Sequence, residues 1–358
     1  MKKITYKSSG VDIKAGDEAK KQIKKLARST FTPGVLKGIG GFGGFFELKK
    51  NEYDQPVLLS SVDSVGTKLK VAFMTGRHDT VGEDIVNHCI NDILVHGAKP
   101  LFFLDYIGIG KVVPRTVAEI VKGLSKACKK AGCALVGGET AELPDFYKIG
   151  EYDLAGCIVG VVEKKRIIDG STIQPGDQII GLKSNGLHTN GYTLARKVLF
   201  ETAHFKVNDP IKELKTTIGD ELLKVHRCYE PSVLPVLKKF RIKGMAHITG
   251  GGIQGNLCRV LPKNCDAQIQ TDAWKVLPIF RFIQREGNVE EGEMFRVFNM
   301  GIGLVLVVSK DESRKISTRL SSSGETVYHI GEISRGKGRV LLQESKCSRC
   351  RNRGFMPR

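Results

Sequence analysis

The sequence predicts a mixed α/β fold made of two domains, each with a sheet covered by helices. Strand-like and helix-like segments alternate along the chain, which is typical of sheets with helical connections. At 358 residues the chain is also longer than one hydrophobic core ordinarily supports. A turn-rich segment at 168–177 separates two such series, so we expect domains at 1–170 and 171–343.

The first half alternates short apolar runs with amphipathic patterns. Residues 79–97 carry apolar side chains at helical spacing and end on a glycine, which predicts a helix. A second helix is predicted over 116–131, again followed by a glycine. The predicted strands lie before, between and after these helices, at 57–61, 101–106, 133–136 and 154–162.

The second half begins with a predicted strand at 178–182 and then returns to helical patterns. One helix is predicted near 192–200 and a long one over about 219–240. A glycine turn at 250–252 follows, and 303–308 is a further apolar strand. The sequence thus predicts a second sheet with helices on its faces.

Composition favours a folded protein that handles anionic small molecules. The net charge is +18, yet the basic residues are scattered among acids and no aromatic residues alternate with them, so we expect no nucleic-acid partner. The rival hypothesis is nucleic-acid binding by the basic tail at 344–358. We expect that tail to be disordered, because its Cys347 and Cys350 have no second pair to complete a zinc site.

Nothing in the sequence predicts export or membrane insertion. The first residues turn polar at once, and the longest apolar run, around 300–308, is too short to span a bilayer. Most of the nine cysteines lie singly, as expected of reduced core thiols. We therefore expect a cytoplasmic protein without a membrane partner.

Two glycine-rich segments look like nucleotide motifs in the wrong context. Residues 38–44 contain GxGxxG, but the strand-like 45–48 follows instead of a helix, which favours a flap over phosphates; a purely structural loop is the alternative. Residues 331–337 lack the Ser or Thr of a P-loop, so we expect a hairpin turn there. The predicted nucleotide contacts of the flap are Gly40, Gly41, Gly43 and Gly44.

Three acidic residues at the ends of predicted strands and helices indicate a cation site. Asp63 follows the first strand, Asp92 lies late in the first long helix, and Glu139 follows a double glycine. Hard cations such as Mg²⁺ bind carboxylate oxygens from separate segments together with phosphate oxygens, so we expect the three to hold Mg²⁺ and ATP. The same motifs supply the other predicted ATP contacts, Thr67, Lys68, Asn91, Gly138 and Thr140.

The first long helix carries a polar face. His88, Asn91 and Asp92 lie four, seven and eight residues after Asp84, which places all four on one face opposite the apolar stripe. Such a face is ordinarily solvated. Its position between the acidic motifs favours a functional site.

Two histidine-containing loops in the second half predict the substrate site. Residues 184–191 lead into a helix, so their amides could hold an anion with His188 pointing at it, while 246–252 carries His247 before three glycines. A structural role stays the alternative for each histidine. We expect His247 or His188 to move a proton. The predicted substrate contacts are Ser184, Asn190, Thr249, Gly250, Gly251 and Gly252.

These segments, in this order, resemble the aminoimidazole ribonucleotide synthetase family, also called phosphoribosylformylglycinamidine cyclo-ligases. The likeness runs from Tyr6 to about Gln343, and the substrate assignment rests on 6–13 and 150–156. It implies a homodimer whose N-terminal sheets pair into a barrel. It also implies ATP-dependent closure of formylglycinamidine ribonucleotide to aminoimidazole ribonucleotide, ADP and phosphate in purine biosynthesis, by phosphorylation of the formamide oxygen and displacement of phosphate by the amidine nitrogen.

The chain departs from the family pattern at three places. Ser64 stands where glycine is usual, Cys258 where proline is favoured, and 226–229 reads His-Arg-Cys-Tyr where Thr-Arg-Ile-Tyr is more common. The signature at 92–100 is shared with small-molecule kinases, selenophosphate synthetases and a hydrogenase maturation factor. That signature implies the fold and ATP use, and leaves a kinase or selenophosphate synthetase as the rival enzyme.

Overall fold

The structure is a computed structural model that describes residues 3–344, so the predicted basic tail beyond Glu344 lies outside the described residues. Its helices are α1 (Ile13–Arg28), α2 (Leu69–Thr75), α3 (Asp79–Leu94), α4 (Pro114–Lys130), α5 (Tyr192–Arg196), α6 (Ile218–Leu222), α7 (Glu230–Leu237), α8 (Gly252–Leu257), α9 (Pro278–Gly287), α10 (Glu291–Val297) and α11 (Lys310–Ser322). Its strands are β1 (Val35–Lys37), β2 (Phe45–Phe46), β3 (Pro56–Ser64), β4 (Lys99–Ile109), β5 (Ala134–Glu142), β6 (Tyr152–Glu163), β7 (Gln178–Lys183), β8 (Pro210–Ile211), β9 (Thr216–Thr217), β10 (Gly244–His247), β11 (Cys265–Gln270), β12 (Ile302–Val308), β13 (Val327–Arg335) and β14 (Val340–Gln343). The predicted mixed α/β fold is confirmed.

The N-terminal sheet has the strand order β3-β6-β4-β5, in which only β4 and β5 run parallel. Helix α3 packs on one face and α4 packs against α3. The apolar stripe that predicted α3 is fully buried there, including Ile85, Cys89 and Ile93. The other face is uncovered in the single chain, where Leu58 and Val62 of β3 are 60% and 69% exposed. Alternating side chains of β3 therefore meet a helical core and an open surface.

The C-terminal sheet has the strand order β10-β12-β7-β13-β11-β14 and carries helices on both faces. All seven residues of β12 are buried, as expected of a strand covered on two sides. Leu304, Leu306 and Val308 pack in one cluster with α7 and α11. Val305 and Val307 belong to the cluster on the other face, with α8 to α10. The connection between the two sheets, 164–177, contains the predicted boundary at residue 170.

Two local predictions are wrong. The helix expected over 219–240 is broken into α6 and α7, because the polar side chains of α3 take the backbone hydrogen bonds of the segment between them, as described below. The turn expected at 331–337 does not close a hairpin. Strands β13 and β14 lie on opposite sides of β11, and the Asp266 carboxylate accepts from the amides of Lys337 and Arg339 in their connection.

Among residues 3–344, no helix combines the length and the apolar composition needed to cross a bilayer.

Candidate active site

The polar face of α3 is buried at the junction of the two domains and is not solvated. Its side chains bind the backbone of the extended segment that joins α6 to α7. The Asp84 carboxylate accepts from the His226 amide at 2.7 Å, and the Asn87 amide donates to the His226 carbonyl at 2.8 Å. Asn91 donates to the Arg227 carbonyl at 2.8 Å and accepts from the Tyr229 amide at 3.0 Å. Asn91, a predicted ATP contact, therefore holds the two domains together.

Lys68, another predicted ATP contact, is fully buried at the same junction. Its ammonium donates to Asp84 Oδ1 at 2.9 Å and to the carbonyls of His188 and Lys224 at 3.2 and 2.7 Å. Burial lowers the pKa of Lys68 and raises that of Asp84, while their mutual attraction opposes both shifts. The geometry gives Lys68 a positioning role between domains, because three protein acceptors already satisfy its ammonium.

A chain of five hydrogen bonds joins Asp63 to Asp92 through three histidines. Asp63 Oδ2 lies 2.8 Å from His88 Nε2, and His88 Nδ1 lies 2.7 Å from the Thr189 hydroxyl. That hydroxyl lies 3.2 Å from His226 Nδ1, and His226 Nε2 lies 2.9 Å from His247 Nε2. His247 Nδ1 completes the chain at 2.8 Å from Asp92 Oδ1. The chain crosses the domain junction twice.

The charges along this chain are set by burial and by the two aspartates. Burial opposes a charge on His88, but the carboxylates of Asp63 and Asp92 outweigh it and raise the His88 pKa. Burial lowers the pKa of His247, although the hydrogen bond to the Asp92 carboxylate acts to raise it. Burial also lowers the pKa of His226 well below its usual range. Burial would also raise the pKa of both aspartates, but their histidine partners bring it below the usual value. The site therefore favours ionised Asp63 and Asp92 beside a His88 whose protonated form is stabilised, and it favours the neutral form of His226 and His247.

The sequence predicted that His188 points into an open anion site, but the structure buries its side chain. Its side chain is 1% exposed and its ring stacks on His226 at 4.1 Å between centroids. Among the described residues, neither ring nitrogen has a hydrogen-bond partner. Burial therefore lowers its pKa well below the usual range. A neutral ring without partners is poorly placed to exchange protons with a substrate in the cleft.

Asp63 and Asp92 come together, and Glu139 stands apart. Both aspartates approach the same nitrogen, His88 Nε2, at 2.8 and 3.6 Å, and the Ser61 hydroxyl donates to Asp92. Glu139 lies on β5 and pairs with Tyr106 of the adjacent strand β4, whereas Asp63 lies on β3 at the other edge of the sheet. Alternation along the strands places its side chain on the uncovered face of the sheet, opposite Asp63. The predicted three-carboxylate set is thus reduced to two in the single chain.

Asp105 lies in the same cross-strand row as Asp63. The register joins Asp63 to Gly156, Gly156 to Asp105, and Asp105 to Gly138, all on the helix-covered face. Burial, with the nearby Glu139 charge, raises the pKa of Asp105 to about 7. A Cβ at Gly138 would lie 2.2 Å from Asp105 Oδ1, so the glycine leaves room for this carboxyl. Thr140, half-buried on the same face, is two residues farther along β5.

A cleft of about 450 Å³ opens beside the hydrogen-bonded chain. Thr67 of the N-terminal domain lines it together with Asn190, Thr193 and Lys197 of the C-terminal domain, and the Thr67 and Thr193 hydroxyls lie 3.0 Å apart. Thr189 lines the cleft and also contacts His88 and His226. Its hydroxyl is therefore the link between the cleft and the histidines.

Of the predicted substrate residues, Asn190 lines this cleft and the others do not. Ser184 is buried and donates to Asn299, while Thr249 donates to Asn256, so both hydroxyls are occupied by protein. The side-chain amide of Asn256 donates to the carbonyls of Gly250 and Gly252 at 3.2 and 2.8 Å. Gly251 and Gly252 have φ of +95° and +61°, a conformation that strongly favours glycine. Gly250 lies next to Asn190, because a Cβ at Gly250 would be 3.3 Å from Asn190 Oδ1.

The glycine flap is a β1–β2 hairpin at the edge of the N-terminal sheet. Gly41 and Gly43 have open space around them, Gly40 has φ +125°, and a Cβ at Gly44 would lie 2.9 Å from Val136 of β5. Rings of Phe46 and Phe102 pack at 5.4 Å beneath it. The base of the flap thus lies beside the Gly138 segment, and Lys24 of α1 lies close to Gly40, where a Cβ would be 3.2 Å from its Nζ.

Four contributors were not among the predicted site residues: His88, Asp105, Thr189 and His226. The offset pattern on α3 indicates His88, and the departure at two of the residues 226–229 indicates His226. Thr189 and Asp105 carried no such signal, because their role depends on contacts across strands and domains.

Two family models and many relatives match the chain. The model described as AIR synthase related protein, N-terminal domain, matches residues 52–162, and its C-terminal counterpart matches 174–343. A phosphoribosylformylglycinamidine cyclo-ligase of Syntrophotalea carbinolica is 54% identical over 335 residues, which is 94% of this chain and 96% of that protein. The enzyme of the same name from Alkaliphilus metalliredigens is 50% identical over 342 residues, 96% of this chain and 99% of that protein.

Solved structures share the fold at much lower identity. Thiamine-monophosphate kinase from Stenotrophomonas maltophilia superposes with a TM-score of 0.68 at 15% identity, covering 91% of this chain and 97% of that one. Hydrogenase maturation protein HypE in complex with ATP gives 0.65 at 16% identity, covering 89% of each chain. These two show the fold alone. The near-full-length relatives and the two domain models show that the chain belongs to the AIR synthase family, the phosphoribosylformylglycinamidine cyclo-ligases.

Proposed function

We propose that this chain is a C–N bond-forming ligase that closes formylglycinamidine ribonucleotide to aminoimidazole ribonucleotide, with ATP converted to ADP and phosphate. The observation that carries the proposal is the identity of about half the residues, over nearly the whole length, with enzymes named for this reaction. A cleft between two domains, with two anionic carboxylates linked through His88 to Thr189 on its wall, is consistent with it.

The reaction needs two steps. The formamide oxygen of the substrate is a poor leaving group, so ATP first transfers its γ-phosphoryl group to that oxygen and ADP is released. The amidine nitrogen then attacks the activated carbon, phosphate leaves with the former formamide oxygen, and the nitrogen loses a proton. Phosphoryl transfer depends mainly on positioning and charge neutralisation, which suits a flap, a cleft and ionised carboxylates.

Mg²⁺ fits the residues at one place. Asp63 and Asp92 are held below their usual pKa, belong to separate elements, and Asp63 keeps 42% of its side chain exposed. Hard oxygen donors of this kind bind Mg²⁺ together with substrate phosphates. Mg²⁺ bound there would neutralise phosphate charge. His88 orients both carboxylates from behind.

The proton of the second step is assigned to the histidine chain. Asp92 holds Nδ1 of His247, so Nε2 of that ring presents a lone pair, but it faces His226 and not the cleft. Thr189 lines the cleft and contacts His226. A proton given up in the cleft can therefore reach His247 through Thr189 and His226, whereas His188 has no bonded route to either.

The uncovered sheet face supports a homodimer. Leu58 and Val62 present apolar side chains on it, next to Tyr106. An exposed group of large apolar side chains on one sheet face is typical of an interface. Size-exclusion chromatography with light scattering should give a dimer, and Val62→Arg should shift it towards monomer; an unchanged dimer in the variant would place the interface elsewhere.

The seven cysteines within 3–344 are free thiols, which supports a reducing, cytoplasmic location.

The activity is tested by coupled ADP release with MgATP, with and without formylglycinamidine ribonucleotide, while aminoimidazole product is measured by colour formation. Substrate-dependent ADP release with an equal amount of product supports the cyclo-ligase. ADP release driven instead by thiamine monophosphate would contradict it and favour the rival kinase.

A further inference from the structure

Three histidine rings meet behind the cleft with their metal-binding nitrogens close together. His188, His226 and His247 offer one ring nitrogen each, all within 4.8 Å of one another, from three separate segments of the C-terminal domain. All three side chains are at least nine-tenths buried. Such a group of neutral imidazoles is the ligand set preferred by Zn²⁺ and similar transition ions.

Two of the nitrogens already face each other at close to a ligand spacing. His226 Nε2 and His247 Nε2 are 2.9 Å apart. Two nitrogens bound to one tetrahedral zinc ion at about 2.0 Å would be about 3.3 Å apart, so a separation of the rings by a few tenths of an ångström admits the ion. In the metal-free protein one proton lies between these nitrogens, and the ion would replace it.

The other nitrogen of each facing ring is held by a neighbour. Asp92 accepts from His247 Nδ1 at 2.8 Å, which orients Nε2 as the ligand atom. The Thr189 hydroxyl contacts His226 Nδ1 at 3.2 Å. A carboxylate or hydroxyl behind a ligating histidine is the usual outer-shell arrangement of metal sites, because it sets the tautomer and the ring orientation.

His188 provides an independent observation. Its ring is buried, and neither nitrogen has a partner among the described residues. Unsatisfied buried nitrogens are costly and uncommon, and an absent ion is one of the ordinary explanations. The ring stacks on His226 with an interplanar angle of 22°, so it must tilt to direct a lone pair at a shared ion. No hydrogen bond has to break for that tilt.

We propose that His188, His226 and His247 form a binding site for one divalent transition-metal ion of the Zn²⁺ type, with a solvent molecule as fourth ligand. Thr189 lines the cleft and its hydroxyl contacts His226 Nδ1, so the ion would enter past this side chain. The site is distinct from the carboxylates proposed for Mg²⁺, since its donors are nitrogens. Zn²⁺ bound at His247 occupies the lone pair assigned to proton transfer, so Zn²⁺ slows ring closure.

The test is isothermal titration of the metal-free, full-length protein with Zn²⁺ in excess Mg²⁺, followed by titration with Co²⁺ while the visible spectrum is recorded. We expect one ion per chain and the intense absorption of four-coordinate cobalt. His226→Asn should weaken Zn²⁺ binding by more than about 100-fold, beyond the effect of changing an outer-shell group. Binding needs no nucleotide or substrate, so failure of the proposed activity would leave this result unaffected.

Three variants complete the design. His188→Gln tests the third ligand if His226→Asn does not fold. His96→Asn is the matched control, because His96 contacts the Ile168 carbonyl and lies outside the cluster. Asp63→Asn should leave Zn²⁺ binding unchanged. The proposal is overturned if no saturable Zn²⁺ binding occurs in excess Mg²⁺, or if His226→Asn and His188→Gln bind Zn²⁺ as tightly as the parent.

Discussion

Neighbouring residues of the same motifs lie in opposite surroundings in this molecule. Thr67 lines the cleft, while Lys68, the next residue, is fully buried against Asp84. Asp92 forms the carboxylate pair with Asp63 beside His88, while Asn91, the residue before it, is fully buried against the backbone of the other domain. A helix or tight turn points consecutive side chains in different directions, so one short motif can present one side chain to the proposed ligand site and bury the next at the domain junction. Contacts, not motif membership, distinguish the two tasks.

The largest effect should come from the buried member of the first pair. Lys68→Met leaves the Asp84 carboxylate buried without its counter-charge, and should lower the free energy of unfolding by about 3–5 kcal/mol. Equilibrium urea unfolding measures this. Lys70→Met is the matched control, since Lys70 pairs with Glu151 at the surface and should cost less than about 1 kcal/mol. Equal losses in the two variants would mean that the buried Lys68–Asp84 pair stabilises the fold no more than a surface pair does.

The accessible carboxylate should show the reverse pattern. Asp63→Asn removes a charge from the site proposed for Mg²⁺ and the phosphates and should reduce turnover by about 100-fold, while changing the free energy of unfolding by less than about 1 kcal/mol. Steady-state kinetics and urea unfolding together measure the split. Asp54→Asn, which breaks only an exposed pair with Lys165, should leave both unchanged. A stability loss without a loss of turnover would assign Asp63 to the junction.

Asp105 gives an intermediate effect that depends on pH. Its pKa is raised to about 7 by burial and by Glu139, above the unfolded value near 4, so the native state favours the protonated form. Its contribution to stability is complete at low pH and is lost as pH rises through about 7. Between pH 5 and pH 8 the parent should therefore lose at least about 1 kcal/mol more than Asp105→Asn. Parallel pH profiles would show that Asp105 is ordinarily ionised; Glu230, raised to about 7 by its own burial, is common to both proteins.

The smallest effect concerns the departure at Ser64. This residue ends β3 in register with Ala155 and is not among the residues with positive φ, whereas Gly66 has φ +68°. Ser64→Gly should change stability and turnover little, by under about 1 kcal/mol. Gly66→Ala should cost about 1 kcal/mol because alanine is strained at that φ. A large gain in turnover for Ser64→Gly would show that serine at this position restricts the segment that follows β3.

The sequence predicted elements and motifs better than contacts. Periodicity and glycine stops located α3 and α4 to within a few residues, because the stripes on these helices are buried by their own sheet. It missed the break between α6 and α7, since the competing hydrogen bonds come from Asp84, Asn87 and Asn91, well over a hundred residues away. The placement of Glu139 away from the two aspartates and the enclosure of His188 were beyond the sequence for the same reason. Strand register and domain packing decide which side chains meet.

The measurement that tests the central claim most directly follows the formamide oxygen of the substrate. Formylglycinamidine ribonucleotide labelled with ¹⁸O at that position is converted with MgATP in ordinary water, and the released phosphate is analysed by mass spectrometry. Because the oxygen is phosphorylated before ring closure, the account predicts one ¹⁸O in each phosphate formed with product. Unlabelled phosphate, with ¹⁸O released to water, would mean that ATP is hydrolysed without activating the substrate and would contradict the proposed mechanism.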